Sequence, residues 1–355
     1  MQLALTGIAT SGVKTIFSAI SGHAESEGAY TGGPGQARLS TLKIPDERLE
    51  YIHSVLKPPK MVQTTVELAE YPGLFGGQST DNQNVAKVRE ADAVVLILRT
   101  FESVAAPHLL GSVDPQRDLD QLQSDMVVAD LAIVETRLDR LEKNLRRQNN
   151  DEDAAEQEIL LRCKDVLDQG KCTREMELSQ ADEKRIGNFL FLTRKSLLLI
   201  LNIGENQLGE EESLKQPFTD SGYEVQALCG SLEAELSQLD EEERAEFMSD
   251  FGIEELAAPV VLGAAYRILQ VVTFFTHNEK ECRAWNVEKG DTAVIAAGKI
   301  HTDLAQGFIR AETIAYDDFK EHGDISGAKA AGKFRLEGRD YVVQEGDLIT
   351  IRHNA

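Results

Sequence analysis

The sequence predicts an α/β protein whose main domain is built on a parallel sheet, carries a long helical insertion and is followed by a small α+β domain. Residues 2–17 read as a strand, a glycine-rich turn and the start of a helix. Nearly continuous apolar runs at 93–98 and 196–201 are typical of strands buried on both faces of a parallel sheet. Residues 115–190 have helical apolar periodicity, and short strand-like segments follow residue 272.

Length and composition set the class of protein. At 355 residues the chain is too long for one ordinary core, so two or three domains are expected. An apolar content of 42%, a charged content of 27% and the lack of an 18-residue apolar run predict a soluble protein without a membrane-spanning segment. Four widely spaced cysteines without C-x-x-C pairs indicate free thiols, and no signal-peptide pattern precedes the first strand, so a cytoplasmic protein is expected.

The charge distribution bears on partners. A formal net charge of −23 opposes non-specific attraction to nucleic acid over much of the surface. Residues 278–355 are nearly balanced in charge, so any RNA contact is expected at this C-terminal end rather than upstream.

The opening turn has the glycine spacing of a phosphate-binding loop, in which backbone N–H groups wrap the phosphates, a Lys reaches the β/γ oxygens and a hydroxyl binds Mg²⁺. Gly7 and Gly12 are in place, but Val13 stands at the lysine position and Lys14 at the hydroxyl position, followed by Thr15. A strand-to-helix turn without a ligand is the alternative, and the glycine pair alone does not decide between them. The candidate nucleotide-binding residues of this loop are Gly7, Thr10, Ser11, Gly12, Val13, Lys14 and Thr15.

A second part of the predicted site follows the strand expected at 62–69. The glycine-rich residues 22–40 before it are expected to form a loop, at the place of a switch loop. In phosphate-loop NTPases the strand that pairs with the first one ends in Asp-x-x-Gly, whose Asp holds Mg²⁺ through water and whose Gly amide touches the γ-phosphate. Glu70 and Gly73 fill these positions, so Glu70 and Thr15 are the candidate metal ligands.

Two further strand ends complete the candidate site, because open α/β sheets bind ligands at the carboxyl ends of their strands. An Asn after the 196–201 strand is expected to brace the loop, and an acidic residue three positions later to read a purine base. A turn that starts a helix is an equally good reading of these residues alone. The strand at 223–228 leads into the last candidates and an acidic helical region. These candidate residues are Asn202, Ile203, Glu205, Cys229, Gly230 and Ser231.

The insertion and the C-terminal segment have distinct patterns. Apolar residues step by three and four through 127–145 and again through 159–167, with a polar break at 146–153, which predicts an antiparallel helical hairpin. A partner-docking arm and a solvated spacer both fit it. The C-terminal segment predicts a sheet with little helix. Its expected strands are 272–277, 284–287, 293–294, 307–314, 334–336, 341–343 and 348–352.

The chain resembles the YchF, or Obg-like, ATPases of the translation-factor GTPases along its whole length. The most specific matching segments are 284–293, 297–303, 307–312 and 336–347. The resemblance implies a P-loop NTPase G domain, an inserted coiled coil and a ubiquitin-like β-grasp (TGS) domain. The implied boundaries are 1–114 with 191–274, 115–190 and 275–355, respectively. It also implies ATP or GTP with Mg²⁺ as ligand and the ribosome or RNA as partner, through the TGS domain and the helical arm.

The resemblance also assigns motifs and shows departures from them. Asn202 and Glu205 align with the Asn-x-x-Glu base-recognition motif, and 229–231 with the final G motif. The family loop Gly-x-Pro-Asn-x-Gly-Lys-Ser-Thr is changed at positions 9, 10, 13 and 14, Asp-x-Ala-Gly becomes Glu-Tyr-Pro-Gly at 70–73, and the switch Thr has no clear counterpart in 22–40.

These departures give a leading interpretation and two alternatives. The leading one is a purine-nucleotide-binding protein with weak or absent hydrolysis that acts as a ribosome- or RNA-associated regulator. An active ATPase or GTPase is the first alternative, in which Lys14 and Thr15 supply displaced versions of the missing groups. A nucleotide-free structural adaptor is the second.

Overall fold

The computed structural model describes residues 1–22, 37–75, 82–147, 150–253 and 255–354. Its strands are β1 (Gln2–Ile8), β2 (Arg38–Lys43), β3 (Lys60–Val62), β4 (Thr65–Phe75), β5 (Ala93–Arg99), β6 (Ser196–Asn202), β7 (Glu224–Leu228), β8 (Val271–His277), β9 (Glu281–Glu288), β10 (Phe308–Ala315), β11 (Arg335–Glu337) and β12 (Asp347–His353). Its helices are α1 (Val13–Ser21), α2 (Glu47–Leu56), α3 (Asn82–Glu90), α4 (Pro115–Leu145), α5 (Asp151–Asp168), α6 (Gln180–Ile186), α7 (Glu211–Asp220), α8 (Gly230–Leu236), α9 (Glu241–Phe251), α10 (Ala257–Leu269), α11 (Ala293–Ile300), α12 (Thr302–Gln306), α13 (Tyr316–His322) and α14 (Ile325–Ala330).

Internal contacts divide the chain into two compact units. The first unit comprises residues 1–40 and 67–268, and the second comprises 41–66 and 269–355. None of the helices in the described ranges combines the length and the apolar character that a membrane crossing requires.

The first unit is organised around a six-stranded sheet in the order β2-β4-β1-β5-β6-β7. β1 pairs in parallel with both β4 and β5, β5 with β6, and β6 with β7. Every residue of β5 is buried, because the sheet is covered on both faces. The predicted parallel sheet is therefore confirmed, and its two apolar runs are neighbouring strands in register from Ala93 opposite Ser196.

The predicted helical insertion is a hairpin of α4 and α5. Asp114 caps α4 by accepting from the Arg117 N–H at 3.0 Å, and Asn150 caps α5. The residues that share the interface between the two helices are Val134, Leu141, Ile159, Leu160, Cys163 and Leu167. Arg137 and Glu156 join the helices by two hydrogen bonds of 2.7 Å. Burial raises the pKa of the Cys163 thiol to about 11, so this residue packs as a neutral apolar side chain.

The second unit has a mixed six-stranded sheet in the order β11-β10-β12-β8-β9-β3. β12 runs parallel to β8 and β3 parallel to β9, whereas β10 is antiparallel to β11 and β12, and β8 to β9. The prediction of a strand at 293–294 is wrong, because Ala293 begins helix α11, whose alanines are strong helix formers. The strand predicted at 341–343 is reduced to an isolated bridge between Thr292 and Val342.

Residues 41–66 differ from the sequence expectation. The sequence predicts them as part of the nucleotide-binding domain, but they cluster with the C-terminal unit. They do so because β3 pairs with β9 from Lys60 opposite Glu281, and Leu49 and Ile52 of α2 are fully buried in a core with Phe275. The division into three domains with the boundaries given above stays a prediction.

Candidate functional site

The glycine-rich loop joins β1 to α1 by a tight turn. The Ser11 N–H donates to the Ile8 carbonyl at 3.1 Å, Thr10 has φ +71° and Gly12 has φ +96°. A Cβ atom on Gly12 would lie 2.1 Å from Nδ2 of Asn202, so only glycine fits there. A Cβ atom on Gly7 would lie 2.6 Å from the Ile97 carbonyl oxygen. Both glycines are thus required by close backbone approach, which is why the loop keeps its shape.

Asn202, at the end of β6, holds this loop to the rest of the unit. Its Nδ2 donates to the Ser11 carbonyl at 2.9 Å, and its Oδ1 accepts from the Gly230 N–H at 3.2 Å. The side chain is 4% exposed, so both bonds lie away from water. One amide therefore fixes the loop against the start of α8, as the sequence predicts for an Asn that braces the loop.

A cavity of about 520 Å³ opens between the loop and the carboxyl ends of β5 and β6. It is lined by Ile8, Ala9, Thr10, Ser11, Gly12, Val13, Lys14, Thr15, Gly73, Arg99, Phe101, Ser103, Ala106, Asn202 and Ser231. This volume lies within the range of small-molecule sites, about 300–1,000 Å³. Most of the loop residues predicted from the sequence share this wall.

Six predicted site residues do not line the cavity: Gly7, Glu70, Ile203, Glu205, Cys229 and Gly230. Ile203 is 1% exposed and packs into the apolar core of the unit, whereas Glu205 is exposed at the start of a short 3₁₀ turn. Gly230 contributes to the site indirectly, because its N–H donates to Asn202, which does line the cavity. The assignment of Glu70 as a metal ligand and of the other five as nucleotide-binding residues stays a prediction.

The end of β5 and the segment after it supply four wall residues that sequence reasoning missed: Arg99, Phe101, Ser103 and Ala106. Arg99 is 2% exposed, and its Nη1 donates to the Thr10 carbonyl at 3.1 Å and to the Ala106 carbonyl at 2.8 Å. Its guanidinium carbon lies 5.5 Å from the centre of the Phe101 ring. A signal was present in the sequence, since a charged residue at the end of a fully buried apolar strand needs a reason to be there.

The same segment is held in place further along. Thr10 Oγ1 donates to the Pro107 carbonyl at 3.3 Å. The Leu110 N–H donates to Nδ1 of His108, so Nε2 carries the imidazole proton and donates to Asp118 Oδ2 at 2.7 Å. Both His108 and Asp118 are buried. The cavity wall is thus anchored to the first turn of α4 on one side and to the loop on the other.

Val13 and Lys14, at two of the four changed loop positions, differ in environment. Val13 is 4% exposed and presents an apolar side chain to the cavity, where a phosphate-binding loop has its lysine. Lys14 is exposed at the rim. Its position one residue further along α1 rotates its side chain by about 100° relative to position 13.

The magnesium site predicted at Thr15 and Glu70 stays a prediction: Thr15 lines the cavity, but two features of the described residues oppose the usual magnesium site of such a loop. That site takes a loop hydroxyl and a carboxylate acting through water, but here the hydroxyl position is Lys14. Glu70 forms a buried ion pair with Arg38, whose guanidinium also donates to the Lys14 carbonyl at 3.2 Å and lies 4.7 Å from the Phe17 ring centre. Magnesium binding through Glu70 would require this pair to break. The predicted switch loop falls largely on 23–36, outside the described residues.

Comparison with known proteins gives matches along the chain. Residues 271–354 match a family model named YchF-GTPase_C and described as a protein of unknown function (DUF933). The Ribosome-binding ATPase YchF of Haemophilus ducreyi is 36% identical over 99% of this chain and 98% of its own. Obg-like ATPase 1 of Bos taurus is 31% identical over 100% of this chain and 92% of its own.

Solved structures share the fold. The Schizosaccharomyces pombe YchF GTPase superposes with a TM-score of 0.82 at 24% identity, over 99% of this chain and 97% of that chain. A GTP-binding protein from Pyrococcus horikoshii superposes with a TM-score of 0.63 at 16% identity, over all of both chains.

Proposed function

This chain belongs to the YchF family of Obg-like ATPases, and we propose that it binds a purine nucleotide, hydrolyses it weakly or not at all, and associates with the ribosome. The observation that carries nucleotide binding is the Asn202 side chain, which joins the loop carbonyl of Ser11 to the Gly230 N–H beside the cavity. The hydrogen bond from Asn202 to the Ser11 carbonyl joins residues 191 positions apart in the sequence and fixes the backbone conformation of the loop. Such a constraint is expected where the loop backbone binds a ligand.

The proposed loss of hydrolysis is supported by two features near the expected phosphate position, namely Val13 and the Arg38–Glu70 ion pair. Phosphoryl transfer depends on positioning and on neutralising charge around the phosphates. Val13 offers no charge, and replacing a lysine there removes a charge-assisted contact of about 1.5–3 kcal/mol. The Glu70 carboxylate is already neutralised by Arg38. The uncharged Val13 and the paired Glu70 both reduce the electrostatic stabilisation of the transition state for phosphoryl transfer. They leave the hydrogen bond from Asn202 to the loop intact, so the bracing of the loop is unaffected.

Ribosome association is supported by the family. The curated relatives of Haemophilus ducreyi and Bacillus subtilis are both named Ribosome-binding ATPase YchF. The α4–α5 hairpin and the C-terminal unit are the parts we propose for this contact, the latter as a TGS-like module. The near balance of charge in residues 278–355 removes the electrostatic obstacle that the acidic remainder presents to RNA.

Titration calorimetry with ATP, GTP and ADP, each with Mg²⁺ and with EDTA, tests the nucleotide part. We expect binding whose affinity changes less than about threefold between Mg²⁺ and EDTA, and no phosphate release above background in a single-turnover assay. Asn202→Ala should weaken binding, and exposed Asn206→Ala serves as the control. Absence of binding at millimolar nucleotide would refute the proposal and favour a structural adaptor.

Rapid Mg²⁺-dependent turnover would refute the hydrolysis-poor part and favour the displaced-lysine alternative. In that case Lys14→Ala should abolish turnover and Val13→Ala should change it little. Co-sedimentation with purified ribosomes on sucrose gradients tests the partner. Recovery of the protein only in the ribosome-free fractions, with and without nucleotide, would contradict ribosome association.

A further inference from the structure

Arg99 is a buried cation whose hydrogen-bonding capacity is only partly used. One guanidinium nitrogen, Nη1, donates to two backbone carbonyls, those of Thr10 and Ala106. The other two nitrogens, Nε and Nη2, are buried and have no hydrogen-bond partner among the residues that the structure describes. Because the side chain is only 2% exposed, bulk water does not supply the missing hydrogen bonds to these two nitrogens.

The charge of Arg99 also lacks a counter-ion within the part of the chain that the structure describes. The buried arginines Arg38 and Arg89 each form an ion pair, with Glu70 and Asp130 respectively. Arg99 forms none with any carboxylate in the described ranges. Removing an unpaired charge from water costs several kcal/mol, so buried charges are normally paired. An exception beside a cavity points to a ligand that completes the pairing.

The composition of the cavity wall indicates the sign of that ligand. Among the described lining residues, Lys14 and Arg99 are the charged ones, and both are positive. Lys14 is exposed at the rim, where water screens it. Arg99 is desolvated, and Val13 leaves the lysine position of the loop without charge. The wall therefore favours an anion, and Arg99 is the cation placed to bind it most strongly.

We propose that Arg99 is the phosphate-binding cation of this cavity, with Nε and Nη2 donating to phosphate oxygens of the bound nucleotide. The inference rests on the proposed nucleotide binding and adds the residue that supplies the missing charge. Arginine suits the role because its planar fork matches phosphate oxygens with two parallel donors. Nη1 meanwhile keeps the fork fixed against the loop.

The test compares adenosine, AMP, ADP, ATP and inorganic tripolyphosphate, all in EDTA, by titration calorimetry and, for weak ligands, by ligand-observed NMR. Arg99→Gln should weaken ATP and tripolyphosphate by about ten- to a hundredfold, AMP less, and adenosine less than about threefold. The matched control Lys14→Gln removes the other cation of the wall and should weaken ATP by less than Arg99→Gln does. An equal loss for adenosine and ATP would show that Arg99 only braces the loop, and would overturn the proposal.

Arg99→Lys guards against misfolding of the neutral variant, because it keeps the charge but offers one nitrogen in place of the fork. It should bind ATP with an affinity between those of wild type and Arg99→Gln and leave adenosine unchanged. Loss of ATP and adenosine affinity to the same degree in this variant would also overturn the proposal. Circular dichroism and thermal unfolding verify that each variant is folded.

The series separates the two proposals. If wild type and Arg99→Gln bind ATP with equal affinity, the proposed role of Arg99 is overturned, whereas nucleotide binding stands. Arg99-dependent binding of tripolyphosphate without binding of any nucleotide refutes the nucleotide function while the phosphate role stands. A wild-type protein that binds neither overturns both.

Discussion

Replacing Asn202 by alanine removes a buried side chain that fixes the loop to α8. It deletes hydrogen bonds of 2.9 Å to the Ser11 carbonyl and 3.2 Å from the Gly230 N–H. Each is worth about 0.5–1.5 kcal/mol net, and each buried partner left unsatisfied costs about 1–3 kcal/mol. We therefore expect the free energy of unfolding of the first unit to fall by about 2–4 kcal/mol, with a loss of nucleotide affinity.

The assay is urea unfolding followed by circular dichroism, with nucleotide titration on the same variants. Asn206→Ala, on an exposed side chain four residues further, should stay within about 0.5 kcal/mol of wild type. Asn202→Asp separates the two bonds, because its carboxylate accepts from Gly230 but faces the Ser11 carbonyl without a proton to donate. Its stability should recover relative to wild type as the pH falls toward the carboxyl pKa, where the protonated form donates again.

A double-mutant cycle tests the close approach at the loop. Gly12→Ala is strained by its φ of +96° and by the contact its Cβ would make with Asn202 Nδ2 at 2.1 Å. In an Asn202→Ala background the contact is gone and only the backbone strain remains, so Gly12→Ala should cost less there than in wild type. Additive effects of the two changes, or an Asn202→Ala variant as stable as Asn206→Ala, would refute the bracing role.

Three further predictions follow from buried groups. Burial raises the pKa of the Glu233 carboxyl group, so the folded state keeps this proton at pH values where the unfolded state has already lost it. The free energy of unfolding therefore falls as the pH rises from about 4.5 to the pKa of the folded state. Glu233→Gln should remove this slope in urea titrations, whereas Glu235→Gln, on an exposed side chain, should not. Arg38→Ala removes the cation that pairs with the buried Glu70 carboxylate and should lower the free energy of unfolding by about 3–5 kcal/mol. The added Glu70→Gln change should restore part of this loss in denaturant unfolding. The Cys163 thiol, with its pKa raised to about 11, should react with iodoacetamide at pH 8 about a hundredfold more slowly in the native protein than in urea, as measured by mass spectrometry.

The features that the sequence predicted correctly depend on local pattern. The runs at 93–98 and 196–201 identify buried parallel strands by length and composition, and the three-and-four spacing identifies the α4–α5 hairpin. The place of Asn202 follows from the same logic, because carboxyl ends of parallel strands meet at one edge of the sheet. No long-range contact had to be known for these inferences.

The features that the sequence missed depend on contacts between distant segments. Arg38 meets Glu70 only because β2 and β4 are neighbours in the sheet. Arg99 faces the cavity only because the segment after β5 folds back so that the Ala106 carbonyl meets its Nη1. The strand predicted at Ala293 is a helix in the structure, because a short apolar segment fits strand and helix equally well when its neighbours are not known.

The loop itself links stability to binding. Thr10 has a branched side chain at φ +71°, a conformation that costs about 1–3 kcal/mol unless its surroundings impose it. Here Arg99 holds the Thr10 carbonyl, and the Thr10 hydroxyl is bonded to Pro107. The strained turn at Thr10 and the Arg99 guanidinium, which has no counter-ion among the described residues, are thus two energetic costs at one contact. An anion that pairs with Arg99 would offset the second cost and leave the first in place. Under the proposed function, these contacts keep the loop shaped for a phosphate group, while Val13 and the Arg38–Glu70 pair account for the proposed loss of hydrolysis.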